Sequence, residues 1–86
     1  MKTIVLYDAA HQRTRQRIES ILRAHGCTWL FPNARWSSRA VSAQPVMIRA
    51  LRSRLAGQSY RIALIELPGR AGPHVRWIAA TTEGKE

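Results

Sequence analysis

The chain of 86 residues is long enough for one domain, and its hydrophobic content of 45% argues against a disordered polymer. Its 14 Lys and Arg against 5 Asp and Glu give a net charge of +9, which favours a polyanionic partner. The single cysteine excludes an internal disulfide and a cysteine-based zinc site, and the apolar runs are too short for a membrane span or a signal peptide, so we expect a cytoplasmic protein without membrane contact.

The first predicted strand covers residues 2–8 and is continuously apolar, which is typical of a central strand. A helix is predicted from about residue 12 to residue 25, with Gly26 as its C-cap. At about 100° per residue, its apolar face comprises Thr14, Ile18, Ile21, Leu22 and His25. The opposite face carries Arg13, Arg17 and Arg23, while Arg15 lies at the margin and is expected to be structural.

Residues 27–36 predict a second strand, rich in large apolar side chains. Pro32 cannot donate to a strand ladder, so this strand is expected at a sheet edge or with a bulge at Pro32. Residues 39–41 are the candidate for a short third strand, because the space before the next helix allows only a hairpin.

Ser42 is the predicted N-cap of a second helix, with Pro45 in its first turn. The apolar stripe of this helix comprises Met47, Ile48, Leu51 and Leu55. Further strands are predicted over residues 59–67 and 74–79, on either side of a break rich in proline and glycine at residues 68–73. Residues 81–86 are expected to form a flexible polar tail.

The order of these elements predicts an α+β fold over residues 1–80, a single ferredoxin-like domain. In this βαββαβ sandwich both helices lie on one face of a mainly antiparallel sheet. The last predicted strand is additional, and the sequence leaves open whether it pairs within its own subunit or crosses to a partner.

Arginine dominates the positive charge, since 12 of the 14 Lys and Arg are arginine. A guanidinium group forms two parallel hydrogen bonds with phosphate, whereas an ammonium group is a single point charge. The predicted nucleic-acid contacts are Arg13, Arg17, Arg23, Arg35, Arg39, Arg61 and Arg76. We expect Trp29, Trp36 and Trp77 to serve core or dimer packing rather than base stacking.

Asp8 is the only aspartate, and it follows the first apolar run directly. A carboxylate at the end of a strand, near many guanidinium groups, is a candidate metal ligand and catalytic residue beside nucleic acid. One aspartate is too few for a typical metal nuclease, although a homodimer would supply two for one Mg²⁺. The alternative is that Asp8 caps the following helix or pairs with an arginine.

Several local patterns occur together in this short chain. They are a first strand ending in Tyr7-Asp8, an arginine-rich helix ending at Gly26, an aromatic stretch closing on Trp36, a second helix from Ser42, and a strand that opens with Tyr60-Arg61-Ile62 and ends at Leu67-Pro68. Over residues 2–67 the chain therefore resembles the small Cas-two family of CRISPR-associated proteins, which act in antiviral defence.

The resemblance implies a homodimer in which the two first strands bring both copies of Asp8 close together. It implies either a non-catalytic scaffold, which binds duplex DNA and docks an integrase subunit through its last strand and tail, or a magnesium-dependent endonuclease on RNA or duplex DNA. The single acidic residue favours the scaffold. An unrelated ferredoxin-like module that binds RNA through sheet-face aromatic side chains is a further alternative.

Overall fold

The computed structural model describes residues 2–67 and 74–80, so the predicted break and the predicted polar tail lie outside the described residues. The elements in chain order are β1 (Lys2–Ala9), α1 (Gln12–Ala24), β2 (Thr28–Phe31), β3 (Ala34–Ser37), α2 (Pro45–Arg54), β4 (Tyr60–Leu67) and β5 (His74–Ala80). A single 3₁₀ turn, Val41–Ala43, precedes α2.

The described strands pair into one antiparallel sheet in the order β2-β3-β1-β4-β5. The first four positions, with one helix after β1 and one after β3, form the ferredoxin-like arrangement. The predicted α+β fold with an additional C-terminal strand is therefore confirmed. The additional strand β5 pairs with β4 of the same chain, from Tyr60 opposite Ala80 to Glu66 opposite His74.

The region predicted as one strand over residues 27–36 is instead a hairpin of β2 and β3. Pro32 ends β2, and Asn33 takes a φ of 65°, the left-handed conformation that asparagine tolerates in tight turns. The Tyr7 amide donates to the Asn33 carbonyl at 3.0 Å, which fixes this turn against β1. The register shifts between Trp29 and Phe31, so β2 is an edge strand with a bulge beside Pro32.

The predicted short strand over residues 39–41 is wrong, because β3 already occupies the third strand position. Side chains hold this segment in a compact turn instead. The Thr3 hydroxyl donates to the Arg39 carbonyl at 2.6 Å, and the Val41 amide donates to the Glu66 carboxylate at 3.1 Å. The predicted N-cap at Ser42 is also wrong, since α2 begins at Pro45 with Gln44 in the cap position.

The hydrophobic core lies between the two helices and one face of the sheet. Alternate residues of β1, such as Val5 and Tyr7, point into this core. The predicted apolar faces of both helices are buried there, except that His25 is only half-buried. The fully buried side chains of the helices include Ile18, Leu22 and Leu51. Helix periodicity therefore determines which side chains remain exposed on the outer surface.

The opposite face of the sheet carries no helix in the described part of the chain and is called the open sheet face. It presents Ile4, Leu6, Phe31, Trp36, Ile65 and Trp77, which the strand registers place in adjacent rows. Phe31 is 51% exposed, Leu6 38% and Trp77 64%. Exposed apolar side chains grouped in this way mark interaction surfaces more often than scattered ones do.

Candidate nucleic-acid interface

Helix periodicity places six arginines on the outer surface of the helical layer. We call this surface the helical arginine face, and its members are Arg13, Arg17, Arg23, Arg49, Arg52 and Arg54. All six side chains are exposed, and they are the only exposed charged side chains on α1 and α2. The two helices therefore leave all six guanidinium groups accessible on the helix side of the sheet.

Glu19 is the only acidic residue of the two helices, and its side chain does not lie on the helical arginine face. The Tyr7 hydroxyl donates to Glu19 Oε2 at 3.1 Å, which draws the carboxylate toward the sheet. Arg15 also turns inward, since its Nη1 donates to the Ala9 carbonyl at 3.3 Å, in the structural role predicted for it. The positive charge of the outer surface is thus left without an acidic neighbour on either helix.

Arg35 does not lie on this surface, which corrects its inclusion among the phosphate contacts. It is 8% exposed and lies on the helix side of the sheet, opposite Val5 in the β1–β3 register. Its Nη1 donates to the Cys27 carbonyl at 2.9 Å, while its Nε is buried without a hydrogen-bond partner. This enclosed guanidinium group therefore links β3 to the connection between α1 and β2 and is not available to a ligand.

The remaining predicted arginines lie on three separate surfaces. Arg39 is exposed beside the 3₁₀ turn, where its Nη2 donates to the Ala43 carbonyl at 2.8 Å. Arg61 is exposed on the open sheet face, opposite Asp8 in the β1–β4 register. Arg76 is exposed on the helix side of β5, beside Arg49 and Arg52. The structure therefore extends the helical arginine face with Arg76 alone.

Asp8 lies on the open sheet face, and its side chain is exposed. It lines a shallow concavity of about 380 Å³ together with Leu6, Phe31, Arg61 and Trp77. Among the residues with described positions, no three His, Cys, Asp or Glu side chains are grouped so that they could hold a metal ion. One chain supplies one carboxylate to this concavity, so a Mg²⁺ ion held here would take its other ligands from water, phosphate or a second chain.

The three tryptophans do not form part of the core. Trp29 is 56% exposed on the edge strand β2, and Trp77 is exposed on the open sheet face. Trp36 is half-buried, and the Lys2 ammonium lies 5.4 Å from its ring centroid. Core packing is therefore excluded for Trp29 and Trp77, whereas packing against a second subunit remains a prediction.

Sequence reasoning did not assign a binding role to Leu6, and it offered Arg49, Arg52 and Arg54 only as a second ridge beside the predicted contacts. The run of apolar residues in β1 conceals which of its side chains the helices cover, so the exposure of Leu6 follows only from the sheet pairing. Arg49 and Arg52 are three residues apart, and this spacing was sufficient to place them on one side of α2.

Burial raises the pKa of the Tyr7 phenol, the Cys27 thiol and the Tyr60 phenol, and the Glu19 carboxylate raises that of Tyr7 further. Groups whose pKa is higher in the folded state contribute full stability below the unfolded pKa and lose it as the pH rises through the folded value. We therefore expect the free energy of unfolding to fall above about pH 8.5, where an unfolded cysteine ionises, and further above about pH 10.

Urea unfolding at a series of pH values measures this alkaline loss. The Cys27→Ala and Tyr60→Phe variants each remove one ionisable group, so their stability should decline less steeply over the same interval. Equal alkaline slopes in the wild type and both variants would contradict the assignment.

No protein-family model matches the chain, and no curated protein matches it significantly. Within the described residues, no helix has the length and apolar content needed to cross a membrane.

Proposed function

We propose that the protein is a nucleic-acid-binding homodimer that holds duplex DNA against its helical arginine face. The observation that supports this most directly is that every exposed charged side chain on the two helices is an arginine. Guanidinium groups match phosphate oxygens in geometry and charge, and mainly phosphate contacts give binding that depends little on base sequence. α1, with 13 residues, extends over about 20 Å, so its arginines span several phosphates of a duplex.

The open sheet face supports the homodimer. A domain of this size buries a smaller fraction of its surface than a larger one does, and the exposed parts of Leu6, Phe31 and Trp77 contribute no hydrophobic stabilisation while they remain in water. Two open sheet faces packed against each other at about 10 Å would cover these side chains. A two-fold axis through this contact brings both copies of Asp8 into the same interface, as the resemblance to the Cas-two family implies.

In this proposal the dimer is a scaffold of the kind that the resemblance implies for CRISPR adaptation, with an integrase subunit as its partner. The single carboxylate in the concavity favours a scaffold over a metal-dependent nuclease. Glu66 and Glu19 lie on the helix side of the sheet, where they accept hydrogen bonds from the Val41 amide and the Tyr7 hydroxyl, so neither adds a carboxylate beside Asp8.

A duplex titration at several salt concentrations tests the binding function. We expect the logarithm of the association constant to fall linearly with the logarithm of the salt concentration, with a slope of about 0.9 for each phosphate contacted. Fluorescence anisotropy of a labelled duplex provides the measurement. A protein that shows no duplex binding at low ionic strength would refute the proposal.

A magnesium-dependent endonuclease is the second candidate function, and the exposure of Asp8 beside Arg61 is the observation in its favour. If paired Asp8 side chains hold the ion, Asp8→Asn abolishes cleavage of RNA or duplex DNA at all Mg²⁺ concentrations. Duplex affinity stays equal or rises, because a negative charge has been removed. For the scaffold, neither the wild type nor the variant cleaves.

An RNA-binding module of the unrelated ferredoxin-like type is a third candidate. Phe31 and Trp77 stand exposed on the open sheet face, where aromatic side chains stack on bases in such modules. A second subunit and an RNA strand cannot both cover the open sheet face. Quenching of Trp77 fluorescence by single-stranded RNA in a monomeric protein would therefore favour this candidate over the dimer.

A further inference from the structure

A small groove lies between α2 and β5, with a volume of about 270 Å³. Its lining residues are Pro45, Ile48, Arg49, Arg52 and Arg76. Arg49 and Arg52 are one helical turn apart and share a side of α2, and Arg76 comes from the neighbouring strand. Three arginines from two elements thus line one concavity.

The charge of the groove is unbalanced, since none of its lining residues is acidic. Like charges held close together repel each other, and a bound anion relieves this repulsion. A dianion or polyanion satisfies several guanidinium groups at once, and the planar forks of arginine are suited to the oxygens of phosphate. The composition of the groove therefore points to a phosphoryl ligand.

Arg52 lies near Tyr60 of β4 as well as on the surface of α2. Burial raises the pKa of the Tyr60 phenol, and the Arg52 guanidinium opposes this by lowering it. The guanidinium therefore lies close enough to β4 to act on a buried phenol.

The apolar part of the groove lining consists of Pro45 and the largely buried Ile48, which lie on α2 beside Arg49 and Arg52. Small-molecule sites usually begin at about 300 Å³, so the groove volume of about 270 Å³ lies just below that range. Its dimensions suit a phosphate with an attached sugar more closely than an extended ligand. An apolar part beside a cationic one matches the two faces of a nucleotide unit.

We propose that this groove is a discrete binding site for the phosphoryl group of a nucleotide unit, with Arg49, Arg52 and Arg76 holding the phosphate oxygens. Pro45 and Ile48 contact the sugar. The same chemistry is found in a backbone phosphate of a nucleic acid and in a free nucleoside polyphosphate. The inference rests on the proposed function only where the ligand is a nucleic acid.

Isothermal titration with inorganic pyrophosphate at low ionic strength tests the site. The variant Arg52→Gln with Arg76→Gln removes two groove arginines, and we expect it to weaken pyrophosphate binding at least tenfold, that is, by about 1.4 kcal/mol or more. Arg13→Gln with Arg17→Gln is the matched control, because it removes the same charge from α1. We expect the control to change the affinity less than about twofold.

Equal losses in the two double variants, or a wild type that does not bind pyrophosphate, would overturn the inference. Thermal unfolding of each variant verifies that the fold is retained, since all four side chains are exposed. A spectrophotometric titration of tyrosine gives an independent readout, because pyrophosphate bound at Arg52 should raise the pKa of Tyr60 in the wild type but not in the groove variant.

Competition separates the two sources of the phosphate. Displacement of pyrophosphate by an oligonucleotide identifies a backbone phosphate, whereas tighter binding of ATP without displacement by an oligonucleotide identifies a free nucleotide, and both support the site. Duplex binding without a groove-specific pyrophosphate site would refute this inference and leave the proposed function intact. A groove-specific pyrophosphate site in a protein that binds no duplex would support this inference and refute the proposed function.

Discussion

Replacing Arg13 and Arg17 together with alanine is expected to weaken duplex binding about tenfold or more at low salt. Both side chains are exposed on the outer surface of α1, one helical turn apart. Each lost phosphate contact also removes about 0.9 from the slope of the logarithm of affinity against the logarithm of salt concentration. The measurement is fluorescence anisotropy of a labelled duplex at several salt concentrations.

Two further variants isolate the cause of this loss. Gln16→Ala with Ser20→Ala changes uncharged exposed positions of the same helix and should leave both affinity and slope unaltered. Arg13→Lys with Arg17→Lys keeps the charge but loses the two-pronged hydrogen bonds, so the slope should stay while the affinity declines. An unchanged slope in the alanine variant would show that α1 does not contact the phosphates.

The second large effect is expected at the open sheet face. Leu6→Glu introduces a charge at the centre of the proposed dimer contact, where its partial exposure of 38% leaves room for the longer side chain in the isolated subunit. An unpaired charge buried in an interface costs about 3 kcal/mol or more, so the dimer dissociation constant should rise about 100-fold or more. Analytical ultracentrifugation over a range of concentrations measures this change.

Val46→Glu is the matched control, since Val46 is 66% exposed on α2 and lies away from the open sheet face. It should leave self-association unchanged. Far-UV circular dichroism verifies that both variants fold. A wild type that sediments as a monomer at high concentration, or a Leu6→Glu variant that still dimerises, would contradict the proposed interface.

Periodicity was sufficient to predict most of the fold. Both helices and their buried faces were predicted, because residues such as Thr14, Ile18 and Leu22 repeat at the spacing of one face and glycines follow at the ends, although the start of α2 was placed too early. The failure at residues 27–41 has a local cause. A two-residue turn at Pro32 and Asn33 divides what looks like one aromatic strand, and asparagine supplies the positive φ that was expected of no residue there.

The candidate site was predictable on helices and much less so on strands. An error of a few degrees per residue leaves Arg13 and Arg17 on the outer side of α1, whereas a shift of one residue reverses the face of every strand side chain. The turn at residues 32–33 makes β3 a separate strand, and the pairing of β3 with β1 places Arg35 opposite Val5 on the helix side. Because this turn was missed, Arg35 was assigned to the surface although it points inward.

The concentration of arginine on the helical layer also affects how stable the protein is in different surroundings. Six guanidinium groups on two adjacent helices repel one another, and this repulsion opposes folding most strongly in dilute chloride buffers. Any polyanion that binds the native state and ignores the unfolded chain shifts the folding equilibrium by mass action. If the proposed duplex binding holds, the protein is least stable when purified free of nucleic acid, and its melting temperature should rise when a duplex is added.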